Sequence, residues 1–121
     1  MIALVVDDSL ALRHLHRKAL QQASWEVHVA ANGQEALDQL EAMPTCDVVL
    51  TDWHMPVMDG IELVRRIRKH ARFAKVPVLM ITSESTLDAL DQAMNAGAND
   101  VLMKPYSPEA LAERVDDVLH E

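Results

Sequence analysis

Apolar residues in this chain follow two rhythms that alternate from one end to the other. Ile2–Val6 is an unbroken apolar run, the pattern of a strand covered on both faces. Glu26–Ala30, Asp47–Thr51, Pro77–Ile81 and Val101–Met103 read as four further strands. Between the runs the apolar spacing becomes helical. Ser9 can cap a helix in which Leu12, Leu15 and Ala19 share a face. Asn32-Gly33 is a turn signal ahead of Gln34–Met43, a helix with Ala36, Leu37 and Leu40 inward, stopped by Pro44. Gly60–Arg72 places Ile61, Val64 and Ile67 inward, and Ser85–Ala96 ends at Gly97. Ser107 caps a last helix that has Pro108 at its first position and runs to about His120.

Five strand–helix units with no internal linker predict one domain over residues 1–121. Such alternation implies an α/β fold with a parallel sheet, helices on both faces and right-handed crossovers. Five units favour the flavodoxin-like doubly wound order 2-1-3-4-5, with the switch point between the first and third strands. Asp7 and Asp8 end the first strand and Asp52 ends the third. Thr82 closes the fourth strand and Lys104 follows the fifth, so all five residues are expected on one sheet edge, where open α/β folds bind ligands.

Composition narrows the class. Half of the 121 residues are hydrophobic, which argues against disorder. No apolar stretch reaches the roughly 20 residues of a membrane span, so a cytoplasmic protein is expected. The lone cysteine, Cys46, allows no internal disulfide and no thiolate cluster, and beside an apolar run it reads as a small core residue. The net charge of −8 is unevenly spread. Residues 84–121 hold nine acids against Lys104 and Arg114 alone, whereas residues 1–83 hold ten acids and nine bases. An acidic C-terminal third is a poor surface for nucleic-acid phosphates. Bases gather at Arg13, Arg17 and Lys18, and again from Arg65 to Lys75.

Three carboxylates at one strand edge repel each other and call for a cation. Oxygen ligands of this kind suit Mg²⁺, with Mn²⁺ as the substitute, and no His/Cys cluster suggests zinc. Asp8 and Asp52 are the expected direct ligands, with Asp7 reaching through water. A carboxylate can also attack a phosphoryl group to give an acyl phosphate. Charge then builds on the equatorial oxygens, where the Thr82 hydroxyl and the Lys104 ammonium can meet it.

Asp7-Asp8, the run Thr51-Asp52-Trp53-His54-Met55-Pro56-Val57-Met58-Asp59-Gly60, Thr82-Ser83 and Lys104-Pro105 together resemble the receiver domain of two-component response regulators, the CheY-like family. CheY-like proteins are themselves an instance of the strand order above, so the two readings are not independent. The resemblance implies Asp52 as phosphoacceptor and Mg²⁺ on Asp8, Asp52 and the backbone carbonyl of His54, with Asp7 in support. It implies Thr82 as switch hydroxyl, Lys104 as phosphate partner and a cis Lys104-Pro105 bond. It implies a population shift of the surface formed by the fourth helix, fifth strand and fifth helix, read by a protein target. Many members carry an aromatic residue three positions before the lysine; here it is Val101, and Tyr106 is expected to pack under the last helix instead. His54 and Glu84, two past Asp52 and Thr82, are expected over the approach of an attacking water.

The implied phosphodonor is a histidine kinase or a histidine phosphotransfer domain. It would dock on the first helix, which carries Arg13, His14, His16, Arg17 and Lys18 around an apolar stripe. The expectation is a self-phosphorylating and self-dephosphorylating switch rather than a turnover enzyme. It has no direct nucleic-acid or membrane partner and is monomeric, with dimerisation on phosphorylation left open. The alternatives are the receiver of a larger regulator with an output domain, and a metal-dependent phosphatase with an aspartyl nucleophile.

Overall fold

The computed structural model describes residues 1–120 and realises the doubly wound architecture. Strands β1 (Ile2–Val6), β2 (Glu26–Ala30), β3 (Val48–Asp52), β4 (Val78–Thr82) and β5 (Asp100–Met103) form one parallel sheet in the order β2-β1-β3-β4-β5. Helices α1 (Leu10–Gln22), α2 (Gly33–Ala42), α3 (Gly60–Arg68), α4 (Leu87–Ala96) and α5 (Pro108–Leu119) connect and cover it. Among the described residues, no helix is long and apolar enough to cross a membrane.

Strand pleating splits the apolar runs into two cores. Leu4, Val6, Val49, Val78 and Met80 meet Leu40, Leu63, Val64, Ile67 and Ala93 on the α2–α3–α4 side. Ala3, Val5, Leu50, Leu79 and Ile81 meet Leu20, Leu111, Val115 and Val118 on the α1–α5 side. Cys46 packs half-buried against the first core and donates weakly to the Val48 carbonyl; burial pushes its thiol up to about 11. Every helix begins with a side-chain cap. Ser9, Asn32, Asp59, Thr86 and Ser107 accept from the backbone N–H of Leu12, Glu35, Glu62, Ala89 and Ala110, each worth about 1 kcal/mol.

The third helix is shorter than the apolar spacing predicts, because the arginines at and beyond its end bind elsewhere. Lys69 and His70 close it with tightened bonds to Arg66 and Ile67. Arg68 then donates to the carbonyls of Ala74, Val76 and Gly97 and to Asn99 Oδ1, joining α3 to the loops before β4 and β5. Arg72 donates to the carbonyls of Leu40, Glu41 and Met43 at the end of α2 and lies over the Phe73 ring. The fourth helix starts at Leu87 rather than Ser85 because Thr86 takes the capping position. Gly97 ends it at φ 119°, a conformation that favours glycine.

Register sets the functional edge. Val6 pairs with Thr51, Asp52 with Ile81, and Thr82 with Met103. The residues that follow or end these pairs, Asp7, Asp52, Thr82 and Lys104, therefore form a row across the C-terminal ends of four adjacent strands.

Candidate functional site

Three carboxylates stand together on that edge. Oxygens of Asp7, Asp8 and Asp52 lie within 4.8 Å of one another. Asp7 is only 1% exposed. Its Oδ1 accepts from the Ser9 N–H at 2.9 Å, while its buried Oδ2 has no partner. Arg13 does not neutralise it, because its guanidinium donates to the Asp7 backbone carbonyl at 2.7 Å. Burial, and then the Asp52 charge, push the Asp7 carboxyl up to about 6 against the pull of the Ser9 N–H. A buried acceptor left unpaired beside two further carboxylates suits a hard, oxygen-seeking cation. The donor set therefore fits a divalent ion of the Mg²⁺ or Mn²⁺ type.

Asp52 is oriented through one oxygen. Its Oδ1 accepts from the Trp53 N–H at 2.9 Å and from Lys104 Nζ at 3.2 Å. Lys104 reaches it from the loop after β5, next to a cis Lys104-Pro105 peptide. Thr82 is buried, and its hydroxyl oxygen accepts from the Glu84 N–H at 3.0 Å. Over these groups His54 Nε2 meets Glu84 Oε1 at 3.1 Å, and the His54 ring stacks on Trp53. The five strand-end residues are thus brought together, with His54 and Glu84 joined above them.

The β3–α3 loop is held tightly. A Cβ on Gly60 would sit 2.2 Å from the Asp52 carbonyl oxygen, so only glycine lets α3 start there. Val57 adopts φ 70°, a strained conformation for a β-branched residue, five residues past Asp52.

One expectation needs correction. His16 does not join the basic surface of α1: it is 2% exposed and points into the α1–α5 core. Its Nε2 meets the Tyr106 hydroxyl and the rings stack, while Nδ1 is buried and unpartnered. Burial and the Lys104 charge pull its pKa down to about 4, so at neutral pH it is an uncharged ring. Burial, followed by the charges of Asp7 and Asp52, pushes the Tyr106 hydroxyl up to about 12. The i, i+4 spacing from His16 to the buried Leu20 is the signal that points this histidine inward. Leu12, Leu15 and Ala19 do share a face, which lines an open groove of about 480 Å³ with Pro105, Tyr106 and Pro108, and Ala19 also packs against the α1–α5 core.

A parallel five-stranded sheet with an acidic trio, a hydroxyl and a lysine at its switch point defines a receiver module, and sequence comparison agrees. The response regulator receiver domain model matches residues 3–116, and the chain belongs to that family: it is the receiver domain of a CheY-like response regulator in two-component signalling. It is 38% identical over 120 residues to chemotaxis protein CheY1 of Helicobacter pylori, covering 98% of this chain and 97% of that one. It is 36% identical over 123 residues to chemotaxis protein CheY-3 of Vibrio cholerae, covering 98% and 91%. The solved structure of chemotaxis response regulator CheY4 of Vibrio cholerae matches it with a TM-score of 0.92 at 36% identity, over 97% of each chain.

Proposed function

We propose that Asp52 accepts a phosphoryl group from the phosphohistidine of a histidine kinase or histidine phosphotransfer domain, and that a protein target reads the result on the surface of α4, β5 and α5. The observation that carries this reading is the pairing of Asp52 with Lys104 beside the unpartnered oxygen of Asp7. Asp8, Asp52 and the backbone carbonyl of His54 would hold Mg²⁺ or Mn²⁺, with Asp7 in support. When bound, the ion would neutralise the carboxylates and the charge developing on the phosphoryl oxygens.

This chain's own residues do the rest. Both hydrogen bonds to the Asp52 carboxylate fall on Oδ1, which leaves Oδ2 to attack phosphorus as the bond to the donor nitrogen breaks. Lys104 Nζ holds an equatorial oxygen. Thr82 gives up the Glu84 N–H and turns its hydroxyl to another oxygen, and the loop after β4 follows. His54 and Glu84 limit the approach of water from above. One phosphoryl group is taken up and later lost to water, so the protein is a cytoplasmic switch and not a turnover enzyme. The donor docks on α1 and the groove beside it, where Leu12 and Leu15 offer apolar contact and Arg17 and Lys18 offer positive charge.

The test is intact mass after incubation with acetyl phosphate and Mg²⁺. One added phosphoryl group is expected, absent with chelator and absent in Asp52→Asn. Phosphorylation that persists in Asp52→Asn would overturn the assignment.

A further inference from the structure

Lys104 belongs to a short loop that is fastened at three points. At its start the Lys104 N–H donates to the Thr82 carbonyl at 2.9 Å. At its end Ser107 caps α5, accepting from the Ala110 N–H at 3.1 Å. Pro105, between them, has no N–H to donate. The third point is Tyr106, whose side chain crosses to α1. Its hydroxyl meets His16 Nε2, and the two rings stack with centroids 5.7 Å apart at 26°. His16 is buried, and both rings line the α1–α5 groove together with Lys104 and Pro105. The pair stands inside the electrostatic field of the site. The charges of Lys104 and Asp52 reach the imidazole, and those of Asp7 and Asp52 reach the phenol.

We propose that the hydrogen bond between Tyr106 and His16 sets the position of Lys104, which makes both of them positioning residues for phosphoryl uptake at Asp52. The proposal rests on the functional reading above and extends it to two residues that act through Lys104. A lysine ammonium is a point charge on a flexible stem, so it is placed only as well as the backbone from which it springs. That backbone is held by Thr82 on the sheet side and by Tyr106 on the helix side. Apolar contact alone would let the ring slide along α1, whereas a bond to one ring nitrogen gives it a single seat. Stability does not account for the imidazole. An aliphatic side chain at this position would fill the core without leaving Nδ1 buried and unpartnered.

The experiment is the rate of phosphorylation by acetyl phosphate and Mg²⁺, followed by intact mass, beside the urea midpoint of each variant. Tyr106→Phe deletes the hydroxyl and keeps the ring, and His16→Leu deletes its partner. Each is expected to slow phosphorylation about tenfold, and the double variant is expected to be no slower than either alone, because the two residues act as a unit. His16→Gln places an amide near the position of Nε2 and is expected to restore most of the rate lost in His16→Leu. The decisive background is Lys104→Met, in which Tyr106→Phe should change the remaining rate by less than about twofold. Two single variants with lowered midpoints and parental rates overturn the proposal, since that is the mark of a merely structural pair. A tenfold loss on adding Tyr106→Phe to Lys104→Met overturns it too, because the pair would then act on something other than the lysine. The two variants report separately, so one that does not fold leaves the other to decide. A parent that takes up phosphate while both variants match it defeats this inference alone. A parent that takes up none defeats the functional reading and this inference with it.

Discussion

Two faces flank Asp52, and they are opposites. On one side, α1 runs from Leu10 to Gln22 with bases and no acid, above a groove between α1 and α5. On the other, α4 runs from Leu87 to Ala96 with acids and no base, above the cavity beside Thr82. Both expose leucines, so apolar contact alone would let a donor and a target compete for either. Opposite charge keeps them apart: a protein drawn to α1 is repelled by α4. Under the proposed function, a domain of this size is loaded on one flank and read on the other through a single carboxylate.

The largest expected effect lies where the two flanks meet. Lys104→Met should slow phosphorylation by acetyl phosphate about 100-fold or more, the usual consequence of removing one preorganised donor from a developing oxyanion. Mass spectrometry over time reads it. A rate near that of the parent would detach Lys104 from the chemistry and leave the flanks without a common element.

Next comes an asymmetry of buried charge. Asp7 and His16 lie at or beneath the α1 flank, and their shifts act on stability in opposite directions. Asp7, raised to about 6, holds its proton more firmly when folded, so stability falls as pH rises from about 4 to about 6. His16, lowered to about 4, holds its proton less firmly, so stability rises between about 4 and 6.5. Each contributes on the order of 3 kcal/mol, and in the parent they nearly cancel. Urea unfolding with chelator present should therefore show Asp7→Asn gaining stability relative to the parent as pH rises through this range, and His16→Gln losing it. Parallel profiles for all three proteins would remove the asymmetry.

A smaller effect tests charge alone. His14→Glu with Lys18→Glu should slow transfer from a phosphohistidine donor about tenfold while leaving the acetyl phosphate rate unchanged. Arg13 is a poor choice because it holds the Asp7 carbonyl. Unchanged donor transfer would mean that the sign of α1 does not steer docking. The smallest effect is a control that touches neither flank. Val57→Gly should stabilise the protein by about 1 kcal/mol, read from the denaturation midpoint, because it relieves a β-branched residue at φ 70°.

What could be read before folding, and what could not, follows the range of the forces involved. Strands β1, β3, β4 and β5 were legible because burial demands nearly unbroken apolar runs, and their ends then locate Asp7, Asp8, Asp52, Thr82 and Lys104 without knowledge of any contact. The end of α3 was not, because Arg68 and Arg72 are good helix formers whose partners are carbonyls some thirty residues away in sequence for Gly97 and Leu40. Local propensity cannot see those partners. His16 misled for a related reason. A histidine among arginines and lysines looks like surface until Tyr106 arrives from the other end of the chain. The pairing of His54 with Glu84 was foreseen only as two side chains over one site, since the closing distance depends on how β3 and β4 are aligned.

That alignment makes the two ends of the sheet unequal before insertions and deletions. The row of functional side chains is fixed by counting backbone positions from Val6, Thr51, Ile81 and Met103. One residue added within β3 would turn Asp52 toward the opposite face of the pleat and leave Lys104 facing a hydrophobic neighbour. The turns that enter β2, β3, β4 and β5 from the far end carry no such count. Drift in chain length should therefore accumulate there, while the segments that leave the strands keep their spacing.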